Sequence, residues 1–516
     1  MIGFERKRTV SDMLQTNFMG LSGELDAKQT SRLEKIRKAW DFYEGYHWEE
    51  LPEQDTPELT YNYCRAFVDK FVAFELGKSF SITTHKDLEG IKVTKDGRTL
   101  FEYLEDVWED NDQYIFCTEL GQMKSITGEA WVQVQYIPPE QLNDPFNQYP
   151  DGRIRVMLMD TSTVFPEFDP HERGKLLKVT VMYEYEAIEK TAILGKDRKV
   201  HRVFKQVWTK DNVVTYSDTA KDPEVLPNKY GIIPFVYIKN LPIAGRNEAR
   251  GDLEDIIPLN TEYNMKSSDV SEIIDYHAAP VTVVYGAKVG NLEKGANKMW
   301  GGLSKDARIE NLELHSDLSL SRGYIDSLKM SMCEIAGVPE TVLGGAQAIS
   351  NTSGVALQYM NLPLIEKTRV KRMETETGLE SVNRLIILMS VLEGLIKKPD
   401  NIEVRDFVWN SVDIPDTLPK DTLLELQQIQ VEMKQGLESR ENAMNRLGKE
   451  NVQELMNDID EDIKKNPCFY GHSDPNDYLH GQNPNEQQIN SGMTNGETPL
   501  EVVRKEVTGK NGGGGE

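Results

Sequence analysis

"GRNEARGDLEDIIPLNTEYNMKSSDVSEIIDYHAAPVTVVYG" (residues 245–286) is the stretch from which the fold is read. From about Glu248 to His277 the apolar residues Leu253, Ile256, Ile257, Tyr263, Val270, Ile273 and Ile274 fall mainly on one side at helical spacing. "PVTVVYG" then changes the period to that of a strand, and "ARIENLEL" (307–314) supplies a second one. A second helix is expected from near Asp317, a suitable N-cap, with Leu318, Ile325, Leu328, Met332 and Ile335 as a narrow seam. Gly337-Val338-Pro339 stops it. The polar, glycine-containing "ETVLGGAQAISNTSGVALQ" (340–358) follows, and the chain is helical again, with interruptions, to about Ile396. Pro363 lies inside that last stretch, where a lost backbone bond predicts a kink.

Working outward, four helices are expected before residue 128, at about 27–46, 61–76, 98–111 and 112–127. After Gly128 the period becomes two, in "EAWVQVQYI", "GRIRVMLMD", "LKVTVMYEYEA", "KVHRVFKQVWT" and "NVVTYS". "NKYGIIPFVYIKN" (228–240) closes this part with a proline-bearing edge strand. The pattern is that of an α+β domain, an antiparallel sheet flanked by helices. Beyond Pro399, "IEVRDFVWNSV" reads as a strand rejoining the sheet, and helices resume from Asp421 to Lys465. Residues 1–26 are expected to be loosely ordered and residues 471–516, polar and ending "KNGGGGE", disordered.

With 516 residues the chain is long enough for several units. A formal net charge of −25 argues against a protein that grips phosphates, which would be basic. Nucleic acid that passes without being held remains compatible. The four cysteines, Cys64, Cys117, Cys333 and Cys468, stand far apart and read as reduced thiols. The N-terminus lacks a secretory core, and "RLIILMSVLEGLI" (384–396) is too short and too broken by Glu393 to span a membrane.

No enzyme signature emerges. The eight histidines stand singly, with no His-Glu-x-x-His pattern, no phosphate loop and no Gly-x-Ser-x-Gly elbow, so no metal or cofactor is expected. Asp458, Asp460, Glu461 and Asp462 point several ways around a helix and read as a solvated face. Between Glu248 and His277 eight acidic residues face two basic ones. On a single helix that is a solvated surface; repeated around a ring axis it would line a tunnel that repels phosphate. The loop Gly344–Gly354 is either an ordinary loop before a helix or a short, uncharged contact surface. The basic run Lys367, Arg369, Lys371, Arg372 reads by default as a solvated or inter-subunit salt-bridged face.

The two stretches 245–286 and "MSMCEIAGVPETVLGGAQAISNTSGVALQYMNLPLIEK" (330–367), with the order of elements over roughly residues 31–470, resemble the portal proteins of tailed bacteriophages, the type of siphophages with Gram-positive hosts. The resemblance implies an α+β multi-domain, ring-forming portal fold: α/β wing, two-helix stem, small β clip, long kinked helix and helical crown. It implies a flexible N-terminus at 1–26, wing at 27–245, first stem helix at 246–278 and clip at 279–314. It then implies a second stem helix at 315–340, tunnel loop at 341–354, long helix returning to the wing at 355–416, crown at 417–470 and tail at 471–516.

Implied with it is a dodecamer at one capsid vertex, non-enzymatic, through which double-stranded DNA is packaged and ejected. The implied partners are the large terminase, a head-completion or connector protein, and capsid and scaffold proteins, with no membrane. Such a protein is assembled in the host cytoplasm and resides in the virion. Candidate channel-lining acids are Glu254, Asp255, Glu262, Asp269 and Glu272, and the tunnel loop offers Gln347, Ser350, Asn351, Thr352 and Ser353. Clip candidates for partner docking are Lys294, Lys298, Trp300 and Lys305, Trp300 being equally suited to packing within the ring. Two alternatives stay open: another structural or adaptor ring of a phage assembly, and a nuclease whose carboxylates converge in one cleft.

Overall fold

The structure, a computed structural model, describes residues 26–48, 58–142, 145–146, 148–190, 197–216, 222–278, 282–285, 308–311, 318–344, 359–415, 422–447 and 452–465. The chain divides into two compact units, Met1–Leu418 and Pro419–Glu516.

In the first unit, helix α1 (Ala27–Glu44) starts at Asp26, whose carboxylate accepts from the Gln29 N–H while the Gln29 amide oxygen accepts from the Asp26 N–H. That reciprocal cap satisfies two otherwise free donors. Helix α2 (Tyr63–Leu76) buries Cys64, Phe67, Val68, Phe71, Val72 and Leu76, enough to make it a central helix. Strand β1 (Ser81–Thr84) leads to α3 (Leu100–Asp110), capped by Thr99 and Glu102 in the same reciprocal way, and to α4 (Gln113–Thr127). Gly128 ends α4 at φ +90°, and a Cβ there would meet the Gly251 nitrogen at 2.8 Å. Glycine is therefore required twice over, for the turn and for the close passage of a second strand of chain.

Strands β2 (Glu129–Ile137), β3 (Arg153–Met159), β4 (Val164–Phe168), β5 (Leu176–Lys190), β6 (Asp197–Thr209), β7 (Asn212–Tyr216), β8 (Glu224–Pro227) and β9 (Phe235–Lys239) follow. They form two antiparallel sheets instead of the single sheet read from the sequence: β3-β2-β9 and β4-β5-β6-β7-β8. The reason lies in β2, which is apolar on both faces. Ala130, Val132 and Val134 join the helices' core, whereas Trp131 joins Val164, Val179, Val181 and Phe235 between the sheets. β9 is an edge strand, as expected, preceded by Pro234.

A short ribbon, β10 (Leu241–Pro242) with β11 (Ala249–Arg250), precedes α5 (Ile256–Ala278). Strands β12 (Thr282–Tyr285) and β13 (Arg308–Asn311) pair antiparallel, and α6 (Leu318–Ala336) follows. Its buried seam is Leu328, Met332, Cys333 and Ala336; Ile335, expected in the seam, is 52% exposed. Helix α7 (Leu362–Leu392) begins at the interruption expected near Pro363. Asn361 is a turn after the helical Tyr359 and Met360, and Pro363 sits in the first turn of α7, where no N–H is needed.

The segment expected to rejoin the sheet forms α8 (Val404–Phe407) and β14 (Asn410–Asp413) instead, and β14 pairs with β1 in a separate ribbon. Trp108 Nε1 donates to Asn383 Oδ1 at 2.8 Å and the Asn383 amide donates to Asn410 Oδ1 at 3.0 Å, which fixes that ribbon to α7. Cys64, Cys117 and Cys333 are free and buried; Cys468 lies outside the described residues.

The second unit holds α9 (Thr422–Lys434), α10 (Arg440–Arg446) and α11 (Val452–Lys465). Arg446 lies 2.6 Å from Glu432 and 3.6 Å from Glu425. Asp458, Asp460, Glu461 and Asp462 are exposed, with Asp460 paired to Arg440 at 2.6 Å and Glu461 to Lys465 at 3.0 Å. Among the described residues no helix is long and apolar enough to cross a membrane.

Candidate functional site

Helices α5 and α6 pack side by side and are joined through the β12–β13 ribbon, giving a helix–ribbon–helix unit. The α5 helix starts at Ile256, eight residues later than its apolar spacing suggested. The backbone before it is engaged elsewhere: the Asp252 N–H donates to the Ser125 carbonyl at 2.8 Å, and Gly251 passes so close to α4 that a Cβ would lie 2.8 Å from the Ile126 carbonyl oxygen.

This start redistributes the candidate acids. Glu254 and Asp255 lie in the turn ahead of the helix and both reach Arg250, at 3.7 and 3.0 Å. Glu262 is half-buried, 3.5 Å from the Tyr324 hydroxyl of α6. Asp269 is exposed and pairs with Lys266 at 3.0 Å; Glu272 is exposed. The loop candidates Gln347, Ser350, Asn351, Thr352 and Ser353, and the clip candidates Lys294, Lys298, Trp300 and Lys305, lie outside the described residues.

Asp252 is not a surface acid at all. It is fully buried with Glu75, Lys124 and Lys371, four charged side chains at 0% exposure drawn from α2, α4, α7 and the turn before α5. Lys371 Nζ donates to Asp252 Oδ2 at 2.7 Å and lies 3.3 Å from Glu75 Oε2. Lys124 pairs with Glu75 Oε1 and donates to the Lys371 carbonyl at 3.2 Å. Ser125 Oγ and the Asn240 amide donate to Asp252 Oδ2 at 2.7 and 3.1 Å. Burial alone would push both carboxyls up, but the ammonium groups outweigh it: Lys371 and Lys367 hold Asp252 below its ordinary range, and Lys124 and Lys371 lower Glu75. For Lys371, too, the burial penalty is exceeded by its two carboxylates, which raise it.

This cluster overturns the reading of 367–372 as a solvated or inter-subunit basic face. Lys371 is sealed, the Lys367 side chain is 20% exposed, and Arg372 is half-buried and donates to the Phe74 carbonyl at 3.1 Å. Arg369 alone of the four is exposed. A signal was present in the sequence: Leu364, Thr368, Lys371, Thr375, Leu379 and Val382 are one buried stripe at helical spacing, and Glu75 interrupts the apolar "FVAFEL".

A second set of polar groups holds α5 along its length. Asn260, Asn264 and Ser268 recur every fourth residue on the buried face. Asn260 accepts from the Cys64 N–H at 3.3 Å and donates to the Tyr61 carbonyl at 2.9 Å. Asn264 accepts from the Tyr61 N–H at 3.0 Å and donates to His47 Nδ1 at 2.7 Å, while Ser268 Oγ accepts from the Leu59 N–H at 3.0 Å. His47 is stacked on Phe42, and its Nε2 is 2.9 Å from the Phe42 carbonyl. Burial pushes its imidazole below the ordinary value, partly offset by that carbonyl.

A carboxylate-lined cleft does exist, of about 760 Å³, along α3 and the start of α4. Its acids Glu102, Glu105, Asp106, Glu109 and Asp112 rim an apolar floor of Phe80, Ile82 and Trp108. Glu102 is used in the Thr99 cap and Asp106 is paired with Arg98. Among the described residues no three His, Cys, Asp or Glu side chains are arranged to hold a metal ion.

Residues 22–466 match the family described as "Phage portal protein, SPP1 Gp6-like". Among solved structures the chain is similar to one described as "Neck of empty GTA particle computed with C6 symmetry", with 12% identity and a TM-score of 0.39, over 75% of this chain and 89% of that chain. No curated protein matches the chain.

Proposed function

The chain belongs to the SPP1 Gp6-like phage portal protein family, and from that membership we propose that α5 and α6 are the stem of a dodecameric ring whose lumen passes double-stranded DNA during packaging and ejection. The family is a structural one, its members being components of the virion that form homo-oligomeric rings associated with capsid and tail. For this chain the proposal adds that it has no catalytic activity and that a separate terminase supplies the work of packaging.

The observation that carries the reading is the helix–ribbon–helix unit, whose α5 is fixed to the rest of the fold along its first half by Asn260 and Asn264 while Asp269, Glu272 and Asp275, in its second half, are exposed. Repeated around an axis, exposed carboxylates repel phosphate, so DNA slides without the counterion release that basic residues produce. Glu262, Asp269 and Glu272 remain lumen candidates. Glu254 and Asp255, held by Arg250, are weaker ones.

In this reading Gln347, Ser350, Asn351, Thr352 and Ser353 surround the DNA as a tunnel loop. Lys294, Lys298, Trp300 and Lys305 meet the terminase and then the connector, and the wing faces capsid and scaffold. Assembly takes place in the host cytoplasm. The test is DNA packaging into proheads carrying N351R/S353R rings. Stalled or slowed entry with normal ring assembly is the expected result; packaging at the normal rate would remove the loop assignment.

A further inference from the structure

Three helix ends converge on one ammonium group. Lys367, in the second turn of α7, places Nζ 3.1 Å from the Ala336 carbonyl oxygen, at the last residue of α6. The same Nζ is 3.1 Å from Asp252 Oδ1, four residues ahead of α5, and 4.2 Å from the ring centre of Phe71 on α2. The carbonyls at a helix C-terminus lack intrahelical donors and carry partial negative charge, so a lysine there is both a cap and a counter-charge. An aromatic face beneath it adds a cation–π attraction.

Lys367 differs from its neighbour one turn on. Lys371 is sealed from water and cannot leave its carboxylates without exposing them unpaired. The Lys367 side chain is 20% exposed, so part of it keeps contact with water while its partners Asp252 and Ala336 are buried. Gly337, just past α6, lies against Pro363 at the start of α7: a Cβ on it would be 3.7 Å from the Pro363 carbonyl oxygen. The end of α6 thus abuts the first turn of α7, and among the described residues the Lys367 bond to Ala336 is a direct polar tie across that contact.

We propose that Lys367 is the positioning residue that couples the long helix α7 to both candidate channel helices, one ammonium group holding the end of α6 and the approach to α5 together. Displacement of Lys367 then releases the end of α6 and the turn ahead of α5 together, while Lys371, Ser125 and Asn240 still hold Asp252 by its other oxygen. The functional meaning rests on the channel reading above; the coupling itself does not.

The test is backbone hydrogen–deuterium exchange on the full chain, comparing wild type with K367M and K367R. In K367M, amides at 336–343 and at 253–257 are expected to exchange at least tenfold faster together, while β2 and β3 stay protected. K367R keeps a cation long enough to reach both acceptors and should restore most of the protection at both ends. Faster exchange at one end alone would make Lys367 a simple cap, and unchanged exchange or a uniform increase over the whole unit would equally overturn the coupling. Should K367M fail to fold, K367Q, which keeps a donor but no charge, is expected to show the paired increase, and its absence would overturn the proposal. Native mass of the same samples reports ring formation separately: loss of the ring reading leaves the exchange result standing, and the reverse.

Discussion

Lys371 sits among Asp252, Glu75 and Thr375 with no route to water, and removing it would leave two buried carboxylates short of a counter-charge. Breaking such a pair by deleting one partner typically costs about 3–5 kcal/mol, more than the pair itself contributes. Lys371→Met is therefore expected to lower the stability of the first unit by that order, read from the urea midpoint. A loss below about 1 kcal/mol would mean that water or a rearranged Lys124 takes over. Acid should probe the same cluster from the other side. Both carboxyls are held below their ordinary values of 3.8 and 4.5. Their contribution is therefore complete above those values and is lost as pH falls through the lower folded-state values. Between pH 5 and pH 2 wild type should lose stability more steeply than Asp252→Asn, and parallel curves would contradict the assignment. These residues were the least legible in the sequence. Lys371 falls in a buried stripe of α7 and Glu75 interrupts an apolar run, but each is a single charge in its own segment, and Asp252 sits in a turn with no periodic pattern to mark it. Nothing local reveals that four separate segments bring them together.

At the level of elements, the helices were legible wherever spacing and caps agreed. Gly77 and Gly128 end α2 and α4 where those helices were expected to stop, and Asp112 precedes α4, whereas α1 stops at Gly45, through which the expected helix ran on to Tyr46. The start of α5 was not legible, since Leu253, Ile256 and Ile257 fit a longer helix; tertiary bonds to Ser125 and Asn240 take the turn residues instead. The break expected at Pro363 falls at Asn361, two residues ahead of it, because the proline takes the first turn of α7 where its missing N–H is not needed. The α5 polar stripe gives the element its own test. Asn264→Ala would leave the part-buried Tyr61 N–H without its acceptor and the buried His47 without a donor, a loss of about 1–3 kcal/mol. His47 adds a pH dependence of known sign. Its folded-state value is depressed below 6.5, so stability is complete above that pH and falls as pH drops below it. His47→Gln should flatten that part of the profile; an unchanged slope between pH 7 and pH 5 would show that another group titrates there.

For the whole molecule, the order of elements was legible and the layering was not. An α/β part followed by helix, ribbon, helix and long helix is present as read, but the strands divide into two sheets because Trp131 and Val132 serve different cores. The candidate channel surface was legible only in part. Exposed Asp269 and Glu272 remain on α5, whereas Asp252 belongs to the buried root and Glu254 and Asp255 to Arg250. Family membership requires that these pieces repeat around an axis, which a single chain does not contain. Several large apolar side chains are exposed on the relevant helices, among them Leu320, Met330 and Ile335 on α6 and Val370 and Met373 on α7, as expected of surfaces covered in an assembly. Native mass spectrometry of the purified full chain, with negative-stain images of the same sample, tests the central claim most directly. A closed ring of about a dozen copies with a central hole is the expected result. A chain that stays monomeric or dimeric at high concentration would contradict it and would turn attention back to the acidic cleft along α3.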